Sequence, residues 1–237
     1  MRWIKDALGK ALSSWVARHG LDHPASRQPS PFDFDLPGRK FLHVGCGSAS
    51  KPAVPKCFLP DEWREIRLDI DPAVSPDVVA SMLDMAPVPD ARVDGIYSSH
   101  NIEHLYPHEV PVALGEFLRV LKPGGFLVAT CPDLQSVSRL IADDRLEEPA
   151  YVSAVGPIAP LDILYGHRSE MAAGNLFMAH RTGFTLRTLV DAVRAAGFAS
   201  VGGLRRERWL DLWIVATKSP ATEDEIARLM EACLPNE

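Results

Sequence analysis

The sequence has few cysteines and lacks any spacing that would pair them. Its four cysteines, Cys46, Cys57, Cys131 and Cys233, form no C-x-x-C pair and no disulfide framework. Because disulfides persist in oxidising compartments, this pattern favours a reducing environment. The sequence therefore predicts a cytoplasmic protein with free thiols.

Positive charge and long apolar runs are also scarce. The chain has 25 Lys and Arg residues against 31 Asp and Glu residues, a formal net charge of -6. Proteins that track a nucleic-acid backbone need dense Lys and Arg to displace counterions, so we expect no nucleic-acid partner. The apolar runs fall far short of the roughly 20 residues that cross a bilayer, and the N-terminus lacks the apolar core of a secretory signal. We therefore expect no membrane span.

The 237 residues, of which 46% are hydrophobic and 24% charged, suit one globular domain with appended elements. Residues 1–38 are predicted to form an amphipathic helix, with Trp3, Leu8 and Trp15 on its apolar stripe, followed by a proline-rich linker. The stripe is rich in small residues and only mildly basic. Packing on the main domain or a homodimer contact through this helix is therefore favoured over a membrane surface.

Residues 39–219 alternate predicted strands with predicted helices, a pattern typical of a parallel sheet covered on both faces. The helix that follows Thr185 has that residue as N-cap and Gly197 as its left-handed stop. Residues 220–237 are predicted to form a terminal helix. The predicted strands are KFLHVG, REIRLD, DVVA, VDGIYSS, FLVATC, ASVGGLRR and WLDLWIVATK.

Two groups of residues at strand ends predict a nucleoside site. Gly45 and Gly47 follow the first strand, where missing side chains let the backbone turn sharply and approach a ligand. Asp69 and Asp71 end the second strand, 22 to 26 residues beyond the glycines. A carboxylate in this place can accept hydrogen bonds from both hydroxyls of a ribose, and ligands of open α/β sheets bind at the carboxyl ends of the strands.

The segments VGCGSAS, LDIDP, SMLDMAPVPDARVDGIYSSHNIEHL and FLRVLKPGGFLVATCPD together resemble a class I S-adenosylmethionine-dependent methyltransferase over residues 40–218. The resemblance implies an α/β fold, a Rossmann-like three-layer sandwich. Its seven-stranded, mostly parallel sheet has an antiparallel last strand. It also implies S-adenosylmethionine as the cofactor.

Carried over by position, the resemblance implies a set of cofactor-binding residues: His43, Gly45, Cys46, Gly47, Asp69, Ile70, Ser81, Met82, Leu83 and Ser98. This sequence departs from the family in having His43 where an acidic residue usually stands, and Ala49 in place of the third glycine. Where relatives carry an Asp at the Ser81 position to meet the adenine amino group, the resemblance implies Asp84 as a substitute from a shifted register. Neutral His43 can accept a hydrogen bond from the methionine ammonium group, whereas charged His43 would repel it.

The segment HNIEH matches the H-x-x-E-H zinc signature, which needs both histidines on one helical face. Here it follows a strand directly, and Pro107 interrupts the run soon afterwards. The interpretation we favour is therefore not a metal site but a pocket wall or polar scaffold. The resemblance places His100 as general base, His104 as a supporting or substrate-contacting residue and Glu103 as the group that orients an imidazole.

The segment from Leu134 to Thr182 is where the family builds a substrate lid, and we call residues 134–182 the insertion. Its candidate acceptor contacts are Tyr165, His167, Arg168, Asn175, His180 and Arg181. Alternatively, His180 and Arg181 only join the insertion to the next helix. An arginine in the pocket would suit a carboxylate or phosphate acceptor, because guanidinium binds such groups bidentately.

The favoured function is methyl transfer from S-adenosylmethionine to a small-molecule acceptor. Two alternatives stay open at this point. One is a cyclisation or elimination of the aminobutyrate chain that releases methylthioadenosine, and the other is a non-catalytic module that only binds the cofactor. The cysteines Cys46 and Cys131 are interpreted as packing residues rather than nucleophiles.

Overall fold

The structure, a computed structural model, describes residues 32–48, 54–59, 61–153 and 155–235. The predicted N-terminal helix lies outside the described residues. The boundaries 1–38, 39–219 and 220–237 therefore stay a prediction.

The seven predicted strands all form. The strands of the described residues are β1 (Arg39–Val44), β2 (Trp63–Asp69), β3 (Val78–Val79), β4 (Val93–Ser99), β5 (Leu121–Pro132), β6 (Tyr151–Ser153), β7 (Gly156–Ile158), β8 (Ser200–Arg206) and β9 (Asp211–Thr217). The seven predicted strands join one sheet in the order β3-β2-β1-β4-β5-β9-β8, and the two short strands of the insertion, β6 and β7, pair separately.

Helices connect the strands. They are α1 (Val110–Val120), α2 (Leu134–Ala142), α3 (Pro160–Tyr165), α4 (Arg168–Ala172), α5 (Leu186–Ala195) and α6 (Glu223–Cys233). Short 3-10 turns occupy Lys56–Phe58, Pro72–Val74, Ile102–His104 and Leu176–Met178. Within the described ranges, no helix is both long enough and apolar enough to cross a bilayer.

The sheet direction agrees with the resemblance. Strands β1 to β5 run parallel, and β9 pairs antiparallel with both β5 and β8. Because the parallel strands share one carboxyl edge, the ends of β1, β2 and β4 meet there, at the point where the strand order reverses. The predicted Rossmann-like fold is confirmed.

Alternating side chains of the strands build a core on each face of the sheet. Leu42 of β1 packs in a cluster with Phe117 of α1 and Leu189 of α5. Its neighbour Phe41 packs on the opposite face with Phe58 and the end of α6. The caps predicted for α5 are also present, since Thr185 accepts from the Thr188 N–H and Gly197 has φ of +110°.

The expectation of four free thiols is wrong. Cys57 and Cys233 form a disulfide, with Cα atoms 4.9 Å apart and 176 positions separating them in sequence. The bond joins the Lys56–Phe58 turn to the end of α6. Since free thiols were the ground for expecting a reducing cytoplasm, that expectation loses its support.

Candidate functional site

A cavity of about 570 Å³ opens at the carboxyl edge of the sheet. Its wall combines the glycine turn after β1, the acidic end of β2, the segment after β4 and part of the insertion. The volume falls within the range of small-molecule pockets, roughly 300 to 1,000 Å³. The cavity is therefore the candidate site.

The glycine turn is fixed to its neighbouring strand. The N–H groups of Gly45 and Cys46 donate to the Leu68 carbonyl at 2.9 and 3.2 Å. Gly45 and Gly47 have φ of +67° and +59°, in the left-handed region that side chains disfavour. Arg67 donates to the Gly47 carbonyl at 2.5 Å and so braces the turn from outside. The predicted tight turn is present, and its backbone faces the cavity.

Asp69 closes the other side of this turn. Its Oδ2 atom accepts from the Gly47 N–H at 2.9 Å, and its Oδ1 atom accepts from the Asp71 N–H at 3.0 Å. An ionised carboxylate has about four acceptor positions, so further positions remain for a ligand. Asp71 also lines the cavity while it caps the next turn by accepting from the Ala73 N–H at 2.9 Å.

His100 lies on the cavity wall beyond the end of β4. Its φ of +48° is unusual for a residue with a side chain, and its N–H donates to the Thr130 carbonyl at 2.9 Å. The Nδ1 atom lies 3.4 Å from Oε1 of Glu103, and the ring is half-exposed. Residues held in such strained conformations cluster at functional sites.

Glu103 and His100 shift each other's ionisation. Burial disfavours the charged ring, but the adjacent Glu103 carboxylate outweighs it and raises the pKa of His100 above its ordinary value. Burial by itself would raise the pKa of Glu103, because it disfavours the charged carboxylate. His100 and, more weakly, His104 and His180 nevertheless hold the pKa of Glu103 below its usual range. The carboxylate is 1% exposed and stands behind the cavity wall rather than on it.

The insertion closes the far side of the cavity with Asn175, Phe177, Met178 and Arg181. Arg181 donates from Nη1 to the His104 carbonyl at 3.0 Å, and its guanidinium lies 5.0 Å from the centre of the Tyr106 ring. This wall therefore offers both apolar surface and a cation.

The cavity brings together most of the residues predicted for cofactor binding. Those on its wall are His43, Gly45, Cys46, Gly47, Asp69, Ile70, Ser81, Met82 and Leu83. Ser98 is not on the wall, because it points to the opposite face of β4 from Tyr97 and Ser99. It is buried, and its hydroxyl has no hydrogen-bond partner among the described residues. Asp84 caps the Ala86 N–H instead of reaching the cavity.

Among the predicted acceptor contacts, Asn175 and Arg181 reach the wall and four do not. Arg168 forms ion pairs with Asp162 and Glu147. His180 is turned toward the Ile163 carbonyl, to which its Nδ1 donates at 2.8 Å. The other two, Tyr165 and His167, also lie away from the wall.

Both remaining thiols suit a packing role. Burial raises the pKa of Cys46 to about 11. Burial also raises the pKa of Cys131 well above its ordinary value. Thiols in this state stay protonated at neutral pH and are poor nucleophiles.

Sequence reasoning missed several residues of the wall. Tyr97 and Ser99 follow from the two-residue alternation of β4, which also excludes Ser98. No sequence pattern indicates Asn101, because only the folded chain brings its buried amide against Gly45. Its Nδ2 has no hydrogen-bond partner among the described residues. Phe177 and Met178 arrive from a distant segment.

Comparisons with known proteins agree with the fold. A family model described as a methyltransferase domain matches residues 42–129. The malonyl-[acyl-carrier protein] O-methyltransferase of Serratia marcescens is 24% identical over 174 residues, covering 67% of this chain and 64% of that protein.

Two solved structures are similar in fold. The CMeT domain of the citrinin polyketide synthase is 13% identical with a TM-score of 0.52, covering 87% of this chain and 53% of that one. A possible exported protein from Bordetella parapertussis is 18% identical with a TM-score of 0.50, covering 78% of this chain and 63% of that one. The chain spans less than two thirds of the length of each of these three relatives.

Proposed function

The chain belongs to the class I S-adenosylmethionine-dependent methyltransferases, and we propose that its cavity holds the cofactor against a small-molecule acceptor. The observation that carries the proposal is the continuity of the cavity. One wall runs from the glycine turn and Asp69 to His100 and the insertion. The cofactor and the acceptor can therefore bind side by side in the same cavity, each against residues of suitable chemistry.

The residues present fit S-adenosylmethionine. Asp69 offers unused acceptor positions for a pair of ribose hydroxyls, and Gly45 and Gly47 leave the turn open to close approach. The orphaned amide donor of Asn101, buried beside Gly45, suits the carboxylate of an amino acid. Met82 and Leu83 supply apolar surface for a base.

When bound, the cofactor supplies an electrophilic methyl group on a sulfonium. The chain has to position the acceptor in line with it and to accept the acceptor's proton. His100 is our candidate for the base that accepts this proton. It would accept the proton at Nε2, because its Nδ1 faces Glu103. Glu103 acts as a positioning residue, since its buried carboxylate lies 3.4 Å from Nδ1 and attracts the ring by its charge.

The insertion wall indicates the class of acceptor. Phe177 and Met178 offer apolar contact, and Arg181 offers a guanidinium to an anionic group. We infer an acceptor with an apolar part and a carboxylate or phosphate. Arg168 is left out of this role because Asp162 and Glu147 already pair with it.

The test starts with calorimetry of the purified chain with S-adenosylmethionine. We expect binding, and we expect Asp69→Asn to weaken it more than tenfold, the scale of lost charge-assisted hydrogen bonds. Asp77→Asn is the matched control, because Asp77 accepts from the Arg67 N–H at 2.8 Å outside the cavity wall. Equal affinities for the two variants would remove Asp69 from the site.

The reaction is then followed by mass spectrometry with methyl-labelled cofactor and a graded set of small carboxylates and phosphate monoesters. Label in an acceptor, together with S-adenosylhomocysteine, supports the proposal. Acceptor-independent methylthioadenosine above the control without enzyme would favour cyclisation or elimination instead. Cofactor binding with no product from any acceptor in the set would overturn the proposed acceptor class.

A further inference from the structure

Glu103, His104 and His180 form a cluster of which the proposed methyl transfer uses only Glu103. The first two lie in the Ile102–His104 turn after β4, and His180 comes from the insertion. Two backbone bonds hold these segments together, because the N–H groups of Arg181 and Thr182 donate to the Glu103 carbonyl at 2.8 and 3.2 Å. We call these three residues the Glu103 cluster.

The two imidazoles of the cluster are held in one tautomer. His104 Nδ1 lies 3.1 Å from the Ala179 carbonyl, and His180 Nδ1 lies 2.8 Å from the Ile163 carbonyl. A carbonyl oxygen only accepts, so each Nδ1 carries the proton and donates it. Each neutral ring therefore presents an Nε2 lone pair. Metal-binding histidines are oriented in the same way, by a carbonyl partner on the other ring nitrogen.

Glu103 supplies the negative charge of the cluster. Its side chain is 1% exposed, and within the described ranges neither carboxylate oxygen has a hydrogen-bond partner. His100 Nδ1 approaches Oε1 at 3.4 Å without the geometry of a hydrogen bond. A buried carboxylate that accepts no hydrogen bond is costly even with one imidazole 3.4 Å away, so such a group indicates a missing cation or donor.

The ligand atoms of the Glu103 cluster, one from each residue, lie within 4.8 Å of one another. We propose that the cluster binds a divalent transition-metal ion of the zinc type through the Glu103 carboxylate and the two Nε2 atoms. Ligands about 2.0 to 2.1 Å from a tetrahedral ion lie roughly 3.4 Å apart, so binding would draw these side chains closer together.

This ligand set differs from the one that the H-x-x-E-H signature predicts. That signature pairs its two histidines on one helical face, whereas His100 precedes the 3-10 turn Ile102–His104, His104 ends it, and only His104 joins the cluster. The second histidine comes from His180, 76 positions beyond His104. The fold, and not the local spacing, assembles the site.

An ion in the Glu103 cluster would lie at the edge of the cavity, because His104 also lines the cavity wall. Three protein ligands leave a tetrahedral ion one open position, as in catalytic zinc sites. That position would take water or an oxygen of a ligand in the cavity. The proposal does not depend on the acceptor class inferred above.

The test uses the full chain, first stripped with a chelator and then dialysed against Zn²⁺. Elemental analysis and calorimetry should give one tightly bound Zn²⁺ per chain. His180→Ala should weaken zinc binding at least about 100-fold, since the loss of a residue that only hydrogen-bonds to a metal ligand already costs 10- to 100-fold in affinity. His108→Ala is the matched control, because His108 is exposed and outside the cluster. Equal zinc affinity in both variants would overturn the proposal.

X-ray absorption of the zinc-loaded unaltered chain makes the test independent of how the variants fold. We expect two imidazoles and a carboxylate in the first shell, and a shell lacking imidazole would overturn the proposal. Failure of the metal site is distinguishable from failure of the cofactor site. Asp69→Asn should keep its zinc, and His180→Ala should keep its affinity for S-adenosylmethionine.

Discussion

The Nδ1 atom of His43 lies 2.7 Å from Oε1 of Glu65, across the neighbouring strands β1 and β2. Since a carboxylate accepts, His43 donates from Nδ1, and the residue lines the cavity. At the position where the resemblance implies an acidic residue, this chain therefore places an imidazole paired with a carboxylate.

We expect Glu65→Gln to weaken cofactor binding about fivefold, the scale of one hydrogen bond, because the orientation of the His43 ring loses its charged partner. Calorimetry at neutral pH measures the change. Glu62→Gln is the matched control, because Glu62 pairs only loosely with Arg39, at 3.8 Å, and both side chains are exposed. Unchanged affinity in Glu65→Gln would show that the His43–Glu65 pair has no part in cofactor binding.

The same pair predicts a pH dependence of stability. Its hydrogen bond with His43 holds the pKa of Glu65 below the ordinary value of 4.5. A carboxyl whose folded pKa is depressed stabilises the fold above its unfolded pKa, and this contribution is lost as pH falls through the folded pKa. As the pH is lowered below 4.5, the thermal midpoint should therefore decrease less in Glu65→Gln than in the unaltered chain. Parallel curves for the two proteins would contradict the prediction.

His100→Ala should lower turnover far more than cofactor affinity. A positioned general base contributes about 10² to 10⁴ in rate, and in our proposal His100 acts only in the chemical step. Once an acceptor is known, kcat and KM are measured beside cofactor binding by calorimetry. Loss of binding in proportion to turnover would mark His100 as a structural residue instead.

Gly45→Ala and Gly47→Ala form a matched pair at the glycine turn. Both positions have positive φ, so each alanine costs roughly 1 to 2 kcal/mol in backbone strain. A Cβ at Gly45 would also collide with the Asn101 amide, whereas a Cβ at Gly47 meets no atom of the described residues within 4 Å. In denaturant unfolding without cofactor, we expect Gly45→Ala to be the less stable of the two. The opposite order would show that Asn101 moves aside freely.

The Cys57–Cys233 bond should stabilise the oxidised chain. It closes a loop of 176 positions, and disulfides typically contribute about 2 to 4 kcal/mol, mainly by restricting the unfolded chain. We expect a reductant to lower the thermal midpoint of the chain and to leave that of Cys57→Ser/Cys233→Ser unchanged. Mass spectrometry after thiol labelling without reductant counts the free cysteines. Four labelled thiols in the purified chain would contradict the bond.

Local sequence determined the parts of this protein that depend on near neighbours. Apolar segments that alternate with helical segments predicted every strand of the main sheet, since a strand buried on both faces needs its own run of apolar residues. The glycine turn and Asp69 were predictable for a related reason: parallel strands align at one carboxyl edge, so residues that end adjacent strands must meet there.

Only the tertiary structure decided which side chains meet across long distances in sequence. The sequence predicted both Arg168 and His180 as acceptor contacts. In the structure, Arg168 pairs with Asp162, and the ring of His180 is oriented by the Ile163 carbonyl. The disulfide between Cys57 and Cys233 and the meeting of Glu103 with His180 have no local signature. Their partners are brought together by packing of the whole chain, and a spacing pattern carries no information about such contacts.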